Sequence, residues 1–341
     1  MADPIPFPPN PCAGRCACSS SYKIHGMIPL TDLRVAASRI AGSIHHTPLF
    51  SSLQLGERVG VRLYLKCESF QKTGSFKARG ALNRVLSLSG DERGRGLVTV
   101  SAGNHAAAVA WAARVAGCSS VVVMPADAPQ SKIDAVRGYG AEIVLHADRP
   151  TLFDKLDEVR EARGLTFVHP FDDPVLLAGS GTTGLEILED LPDVDLVIVP
   201  VGGGGLLGGV TSAIKGSQPR VRVVAVELEA GPGLGPALAA GKPVPVTRPA
   251  TLADGMTPPF VGALPLAIAR EAVDDVVTVT EHEIKEGMRL LLTRAKLYVE
   301  ASGAAATGAL LAGKVRVSPG ERVVALVSGG NIDLEKVSGL V

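Results

Sequence analysis

Short apolar runs alternate along this chain with longer segments in which apolar and small residues mix with charged ones. The short runs are rich in Val, Leu and Ile, as buried β-strands are, and the longer segments show the spacing of amphipathic helices. From about residue 97 onward, this repeat predicts parallel strands joined by crossover helices. The predicted strands cover residues 97–100, 120–124, 142–145, 167–169, 196–201, 221–227 and 322–327, and the predicted helices cover 106–116, 131–138, 154–163, 185–191, 206–215, 281–294 and 302–311.

The first third of the chain is less regular. Residues 1–28 are rich in Pro, Cys and Ser and are predicted to form a disordered arm. A helix capped by Thr31 and Asp32 is predicted to run through Ile40, and residues 61–66 alternate as a strand does. The compact strand-helix block suggests a small mobile domain at 97–174, with a large domain formed by 29–96 and 175–341.

Composition excludes some classes of partner. Lysine plus arginine and aspartate plus glutamate both total 34, so no net charge favours nucleic acid or a membrane surface. Aromatic residues are only 4%, which argues against stacking platforms for single-stranded nucleic acid. No stretch of about twenty apolar residues is present, and the Pro-rich start lacks the apolar core of a secretory signal. We therefore expect a cytoplasmic protein without a nucleic-acid or membrane partner.

The five cysteines do not form the pattern of a disulfide framework. Cys12, Cys16 and Cys18 cluster near the start, where a structural metal would need His25 as its fourth ligand. A loosely packed extension is the favoured interpretation, and no metal site is predicted.

Segment 73–80 carries a lysine, Lys77, between an aromatic and a small residue at the start of an apolar helical run. Lysine is unusual at a packed position unless its amine is used or reaches water. Taken alone, Lys77 would be a surface residue. However, three further Gly- or Ser-rich segments, at 101–105, 202–205 and 328–331, follow predicted strands, and ligands bind at the carboxyl ends of strands in open α/β sheets. Together they predict a cofactor site.

The glycine-rich segment admits two interpretations. Gly203, Gly205 and Gly208 follow a strand and open a helix, and Glu227 comes about twenty residues later, as in a dinucleotide-binding fingerprint. That pattern would make the protein an NAD-dependent oxidoreductase. The run 202–205 is also four consecutive glycines, whose amides at a helix start could surround a whole terminal phosphate.

Four segments in chain order resemble the signatures of the fold-type II pyridoxal-phosphate enzymes, within the threonine/serine dehydratase and serine racemase group. They are SFKARGA at 75–81, SAGNH at 101–105, GGGGL at 202–206 and SGGN at 328–331, and lesser similarities lie at 169–174, 181–182, 253–255 and 299–304. The resemblance covers about residues 30–335. It implies pyridoxal 5'-phosphate as cofactor and an α/β fold of two open twisted sheets with flanking helices, as in the β-subunit of tryptophan synthase.

The resemblance also implies roles for individual residues. Lys77 would form a Schiff base with the cofactor and afterwards serve as the base at the substrate Cα. The implied cofactor-binding residues are Phe76, Lys77, Asn104 at the 3' oxygen, Gly202, Gly203, Gly204 and Gly205 at the phosphate, Glu300 near the ring and Ser328 at the pyridine nitrogen. The implied substrate-binding residues are Ser101, Ala102, Gly103, Asn104 and His105.

Ala102 separates the possible activities. Related racemases carry a serine at this position, and its hydroxyl can return a proton to Cα on the face opposite the lysine. Ala102 has no such proton, so the sequence favours a dehydratase that converts a small-molecule amino acid of the threonine or serine type to a 2-oxo acid and ammonia. A serine or hydroxyaspartate racemase or a β-replacement enzyme on the same scaffold is the alternative, and the NAD-dependent oxidoreductase is a more distant one.

Some features depart from the group. Ser180 stands where relatives often have Gln, and Gly233 stands where an Asp would complete a cation site with Glu227, so no metal is predicted there. The substrate side chain is expected near Phe153 and the loop 258–260, and no extra arginine for a second carboxylate is evident. A homodimer is expected. We also expect none of the isoleucine control that relatives with a C-terminal regulatory extension show.

Overall fold

A computed structural model describes residues 26–247 and 249–339, and within these ranges it contains two open sheets. The larger sheet has the strand order β1-β2-β10-β7-β8-β9, and all its neighbouring pairs are parallel except β1 with β2. Its strands are β1 (Leu49–Ser51), β2 (Arg62–Cys67), β7 (Leu196–Pro200), β8 (Arg222–Leu228), β9 (Asp275–Val279) and β10 (Arg322–Val327). The predicted fold class is therefore confirmed.

The smaller sheet is entirely parallel, with the order β5-β4-β3-β6. Its strands are β3 (Leu97–Val100), β4 (Ser120–Pro125), β5 (Glu142–His146) and β6 (Thr166–Phe167). Residues 97–167 thus form a sheet of their own inside the span predicted as a small domain. The division into two domains and the mobility of the smaller one stay predictions.

Helices cover both faces of the larger sheet, as parallel strands with apolar residues on both sides require. They are α1 (Leu30–Ile40), α2 (Leu53–Glu57), α3 (Lys77–Ser87), α4 (Gly90–Gly94), α5 (Asn104–Ala116), α6 (Gln130–Gly138), α7 (Leu152–Arg163), α8 (Pro174–Asp190), α9 (Gly205–Ser217), α10 (Leu234–Ala240), α11 (Ala263–Ala272), α12 (Glu281–Leu290), α13 (Ala301–Leu311) and α14 (Leu334–Ser338). One apolar core lies between this sheet and α12 and α13, and a second lies on the opposite face against α9 and α11. Helix α3 connects the two parts, because it packs on α8 and on α5.

A buried charge network fixes α3 in place. The Arg79 guanidinium is fully buried and donates from Nε and Nη2 to the two carboxylate oxygens of Glu68 at 2.8 Å each. Its Nη1 donates to Glu186 at 2.6 Å and to Thr182 at 3.1 Å. Lys66, also fully buried, places its Nζ 2.8 Å from Glu186. Buried charges are tolerated when they are paired and hydrogen-bonded, so this network joins the start of α3 to β2 and α8.

Most predicted elements agree with the structure to within two or three residues, and three differ informatively. Helix α8 begins at Pro174 rather than at residue 185, because Asp173 caps it by accepting hydrogen bonds from the Val175 and Leu176 amides. Helix α1 is capped by Pro29, so Thr31 lies inside it. The segment predicted as one helix over 281–294 is α-helical only to Leu290, where α12 ends, and forms a π-helical turn over Leu291–Ala295.

The described chain begins inside the predicted arm. Cys12, Cys16, Cys18 and His25 lie outside the described residues. Ile28 is already buried, and its amide donates to the Ser212 hydroxyl at 3.0 Å, so the packed domain begins before residue 29.

In the part of the chain that is described, no helix has the length and apolar character needed to cross a membrane.

Candidate active site

A cavity of about 300 Å³ opens between the two sheets, at the carboxyl ends of their strands. Every residue predicted to bind cofactor or substrate lines it, so the fold brings together segments that are far apart in the chain. These residues are Phe76, Lys77, Ser101, Ala102, Gly103, Asn104, His105, Gly202, Gly203, Gly204, Gly205, Glu300 and Ser328. Phe153, Pro258 and Pro259, expected near the substrate side chain, also line the cavity.

Lys77 is the first residue of α3, and its side chain turns into the cavity. Its Nζ donates a hydrogen bond of 2.7 Å to the Pro170 carbonyl, and among the described residues it forms no ion pair. Burial disfavours the charged amine and lowers the pKa of Lys77 to about 8. The preceding segment is held by β10, since the Phe76 amide donates to the Ser328 carbonyl at 3.1 Å. Lys77 can therefore be a neutral nucleophile near neutral pH.

The glycine-rich segment 202–205 forms a loop whose backbone amides are available to bind an anion. Within the described part of the chain, the N–H groups of Gly202, Gly203, Gly204 and Gly205 donate no hydrogen bond, and they stand at the N-terminus of α9. A Cβ at Gly203 would collide with the Phe171 ring, and Gly204 has a φ of +89°. Unpaired amides at a helix start favour an anion, so the loop fits the phosphate of pyridoxal phosphate.

The turn 101–105 starts helix α5. The Gly103 amide donates to the Ser101 hydroxyl at 3.1 Å. His105 Nε2 lies 3.3 Å from the Val168 carbonyl, which can only accept, so Nε2 carries the proton and Nδ1 is a buried acceptor without a partner in the described chain. Burial and nearby Lys77 lower the pKa of His105 well below its usual value. The imidazole is therefore neutral, so His105 offers a substrate carboxylate no positive charge.

Asn104 and Glu300 meet inside the cavity. Asn104 Nδ2 donates to Glu300 Oε1 at 2.6 Å, and Asn104 Oδ1 accepts from Asn331 Nδ2 at 2.8 Å. Burial, together with the negative charge of Asp254, raises the pKa of Glu300 to about 7, although Lys132 and the Asn104 hydrogen bond oppose that shift. Glu300 can thus gain or lose a proton near neutral pH.

Ser328 lies at the carboxyl end of β10. Its hydroxyl has one long hydrogen bond, 3.4 Å to the Ser302 carbonyl, and the Ser302 hydroxyl is buried without a partner among the described residues. These two hydroxyls leave hydrogen-bonding capacity in the cavity wall. That capacity fits a ring nitrogen, and the contact of Ser328 with such a nitrogen stays a prediction.

Two cationic residues that sequence reasoning missed also line the cavity. Lys132 pairs with Asp254 at 2.6 Å, and Arg149 pairs with Asp127 at 2.7 Å. Arg149 thus lines the cavity, but its guanidinium already has the Asp127 carboxylate as partner, so the expectation of no extra arginine for a second substrate carboxylate stays a prediction. Both residues lie in segments whose pattern is typical of a solvent-facing surface, so their sequence carries no local signal.

His169 belongs to one of the lesser similarities, at 169–174, and its ring is hydrogen-bonded to the backbone that follows it. Its Nδ1 accepts hydrogen bonds from the Phe171 amide at 3.2 Å and the Asp172 amide at 2.9 Å. Burial and nearby Lys77 lower its pKa to about 3, so it stays neutral and shapes the loop that places the Pro170 carbonyl.

Ser180 lies outside the cavity, buried in α8 against Gly80.

Glu227 does not face a nucleotide site. Its carboxylate accepts hydrogen bonds from the Gly233 and Gly235 amides at 2.7 and 2.8 Å and from the Leu234 amide, at the start of α10. An acidic residue that binds a ribose must have free oxygens, and here they are engaged by backbone. This geometry removes the acidic partner that the NAD interpretation required.

Known proteins resemble this chain over most of its length. A family model described as pyridoxal-phosphate dependent enzyme matches residues 40–329. An L-threonine ammonia-lyase of Thermotoga maritima is 44% identical over 319 residues, which are 92% of this chain and 78% of that protein. The catabolic L-threonine dehydratase TdcB of Escherichia coli is 44% identical over 91% of this chain and 95% of its own.

Solved structures agree with this result. A structure of maize serine racemase superimposes with a TM-score of 0.87 at 37% identity, covering 91% of this chain and 96% of that one. A threonine deaminase from T.th. superimposes with a TM-score of 0.85 at 42% identity, covering 90% of this chain and 99% of that one.

Proposed function

This chain belongs to the pyridoxal-phosphate dependent enzymes, and from that premise we propose that it is an ammonia-lyase for a β-hydroxy amino acid of the threonine and serine type. The reaction removes the Cα proton and the β-hydroxyl as water. The released enamine is then hydrolysed to a 2-oxo acid and ammonia. The names of the relatives support threonine as the substrate, and the proposal keeps serine beside it.

The residues that would hold the cofactor fit it. The free amides of Gly202 to Gly205 would hold its phosphate, and Asn104 and Ser328 would contact the ring at the 3' oxygen and the nitrogen. Lys77 would attach it covalently through Nζ, and Phe76 and Glu300 would complete the binding site. When bound, pyridoxal phosphate supplies an electron-withdrawing ring that stabilises negative charge at the substrate Cα.

One observation carries the proposal: in the part of the chain that the structure describes, three lysine or arginine side chains line the cavity, and Lys77 differs from the other two. Lys132 and Arg149 are each paired with a carboxylate, whereas the Lys77 amine donates to the Pro170 carbonyl, lies 5.2 Å from the centre of the Phe76 ring and has no carboxylate partner among the described residues. With a pKa of about 8, its Nζ can take a proton from Cα near neutral pH and return it. The turn 101–105 would orient the substrate carboxylate through its amides.

Assays of the purified, cofactor-loaded enzyme test this function. We expect 2-oxo acid and ammonia in equal amounts from L-threonine or L-serine, and a visible absorption band of lysine-bound cofactor. Both are expected to be lost in Lys77→Ala. If no β-hydroxy amino acid yields a 2-oxo acid, the proposed activity is wrong.

Racemisation is the second candidate, because serine racemases are among the similar structures. What disfavours it is Ala102, which lines the cavity at the turn and carries no ionisable hydrogen. Chiral chromatography of the products from L-serine separates the two activities. Accumulation of D-serine without pyruvate would overturn the ammonia-lyase assignment.

The homodimer and the cytoplasmic location remain part of the proposal. An exposed apolar surface supports the homodimer: the rings of Phe50 and Phe70 make an edge-to-face contact at 6.3 Å, yet are 47% and 50% exposed, and Leu53 is 75% exposed. A second copy of this chain would cover such a surface. Sedimentation velocity of Leu53→Glu against the wild type tests this, and a wild-type monomer would contradict it.

A further inference from the structure

We propose that Asn331 is a positioning residue that sets which way the Asn104 carboxamide faces. The inference rests on the proposed function, in which Asn104 contacts the cofactor. It goes beyond that function in naming the group that orients Asn104.

The hydrogen bonds of Asn331 form a relay with a defined direction. Its Nδ2 donates to the Thr73 carbonyl at 2.7 Å and to Asn104 Oδ1 at 2.8 Å. A backbone carbonyl can only accept, so the Thr73 contact determines which end of the Asn331 carboxamide carries the hydrogens. Both hydrogens of Nδ2 are then used. Asn104 must present its oxygen to Asn331, and its Nδ2 therefore turns towards Glu300, 2.6 Å away.

Glu300 alone would not secure this orientation. A carboxylate demands a donor from Asn104, but a protonated carboxyl can donate to the oxygen of a flipped Asn104. The pKa of Glu300 is raised to about 7 by burial and by Asp254, so both forms occur near neutral pH. The Thr73 carbonyl does not titrate. Anchoring the relay there keeps Asn104 Nδ2 directed into the cavity whichever form Glu300 takes.

The Thr73 carbonyl lies in a loop with an unusual backbone conformation, which its surroundings hold by close packing and hydrogen bonds. Thr73 adopts a left-handed conformation with a φ of 61°, which is unusual for a residue other than glycine. Gly74 follows with a φ of +72°, where a Cβ would collide with Asn331 Oδ1, and its carbonyl accepts from the Gly330 amide at 2.9 Å. The loop before Lys77 and the loop that carries Asn331 are therefore fixed to each other, and the relay transmits that geometry to Asn104.

Selective nitrogen-15 labelling tests the relay without any catalysis. The chain contains only four asparagines, Asn10, Asn83, Asn104 and Asn331, so [¹⁵N]asparagine gives few side-chain NH₂ signal pairs. Asn104→Asp and Asn331→Asp each remove one pair and assign it. Asn83, which donates to the Val175 carbonyl at 2.7 Å, is an internal reference.

In the cofactor-free protein we expect the Asn104 pair to move in Asn331→Ala and further in Asn331→Asp, where a carboxylate would draw Asn104 Nδ2 away from Glu300. The Asn83 pair should not move. Asp333→Ala, a neighbouring change that forms no side-chain bond with Asn104, should leave both pairs in place. If the Asn104 NH₂ signals keep their chemical shifts in both Asn331 variants, the proposal that Asn331 orients Asn104 is overturned.

The loaded enzyme supplies a second readout. We expect kcat of Asn331→Ala to fall about 10- to 100-fold with a smaller change in KM, as for a misplaced contact group. Unchanged kcat in an active enzyme overturns the positioning role. If the wild type releases no 2-oxo acid while the Asn104 pair still moves, the proposed function fails and the orienting contact stands.

Discussion

The Lys77 amine donates to the Pro170 carbonyl at 2.7 Å, from the first turn of α3 to the loop that follows β6. A carbonyl orients an amine without contributing the negative charge that would keep it protonated. Burial can therefore lower the pKa of Lys77 to about 8, which a carboxylate partner would prevent. This contact underlies the pH dependence of the first prediction.

Cofactor attachment should follow the Lys77 ionisation. Above a pH of about 8 the amine is mostly neutral, so the second-order rate of pyridoxal phosphate attachment to the cofactor-free protein should rise with pH and level off just above 8. Stopped-flow absorbance measures it. Nα-acetyl-lysine is the control, because its rate should keep rising towards about pH 10.4. Identical profiles for protein and control would contradict the lowered pKa.

Glu300→Gln should stabilise the cofactor-free protein at alkaline pH. The folded-state pKa of Glu300 is raised to about 7 from 4.5, so the unfolded chain loses its proton first and stability falls as pH rises through this window. Glutamine keeps an acceptor for Asn104 without the charge. Urea unfolding should show the variant more stable at pH 8 by about 1–3 kcal/mol, with the difference shrinking by pH 5. An equal difference at both pH values would refute this explanation.

Arg79→Met should destabilise the fold strongly. The change leaves the carboxylates of Glu68 and Glu186 buried without their main partner, at a cost of about 3–5 kcal/mol. Arg289→Met is the matched control, because its ion pair with Glu286 is exposed and should change stability by less than about 1 kcal/mol. The urea unfolding midpoints of both variants measure these losses of stability. A small loss in Arg79→Met, similar to that in Arg289→Met, would show that the buried network contributes little.

Gly203→Ala should damage both stability and cofactor binding. The new Cβ would meet the Phe171 ring, which is buried and held edge-on by His169 and Phe260, so overpacking should cost about 1–3 kcal/mol. In Gly138→Ala the added methyl meets nothing within 4 Å, and that control should be neutral or stabilised by about 0.5–1 kcal/mol. Thermal unfolding and equilibrium dialysis with pyridoxal phosphate give the two readouts. Equal behaviour of the two variants would speak against the packing constraint.

Ala102→Ser should add racemisation to the reaction. A hydroxyl at the turn can return a proton to Cα from the face that Lys77 does not reach, so D-serine should appear beside pyruvate from L-serine. Chiral chromatography detects it. Ala162→Ser, an exposed change on α7, is the control and should form none. If the Ala102 variant forms no D-serine, the position does not decide between the two activities.

Local pattern was enough for much of the fold. Residues 97–100 and 322–327 are strands with the predicted bounds, because a Val- and Leu-rich run of four to six residues between turn residues is too short for a helix and favours a strand. The cavity also followed from the sequence, since the carboxyl ends of parallel strands meet at one edge and carry the glycine- and serine-rich turns there.

The close packing of helices α8 and α9 could not be predicted from the local sequence pattern. Glycines are unfavourable inside helices, so the start of α8 resembles a loop. In the structure a Cβ at Gly181 would lie 2.7 Å from the Gly209 carbonyl oxygen of α9. These glycines let two helices approach, and that gain outweighs the local preference.

The sequence by itself determined the order of strands and helices along the chain and the residue types that line the cavity, because each depends on residues that are neighbours in the chain. The attachment of a cofactor to Lys77 is a prediction from the resemblance of segment 75–81. Only the tertiary structure decided which side chains face one another. Asn331 and Asn104 are 227 residues apart, and Asn104 and Glu300 are 196 apart. The direction of a carboxamide and the pKa of a buried carboxyl depend on such partners and on the exclusion of water, and both arise only when the two sheets close on the cavity.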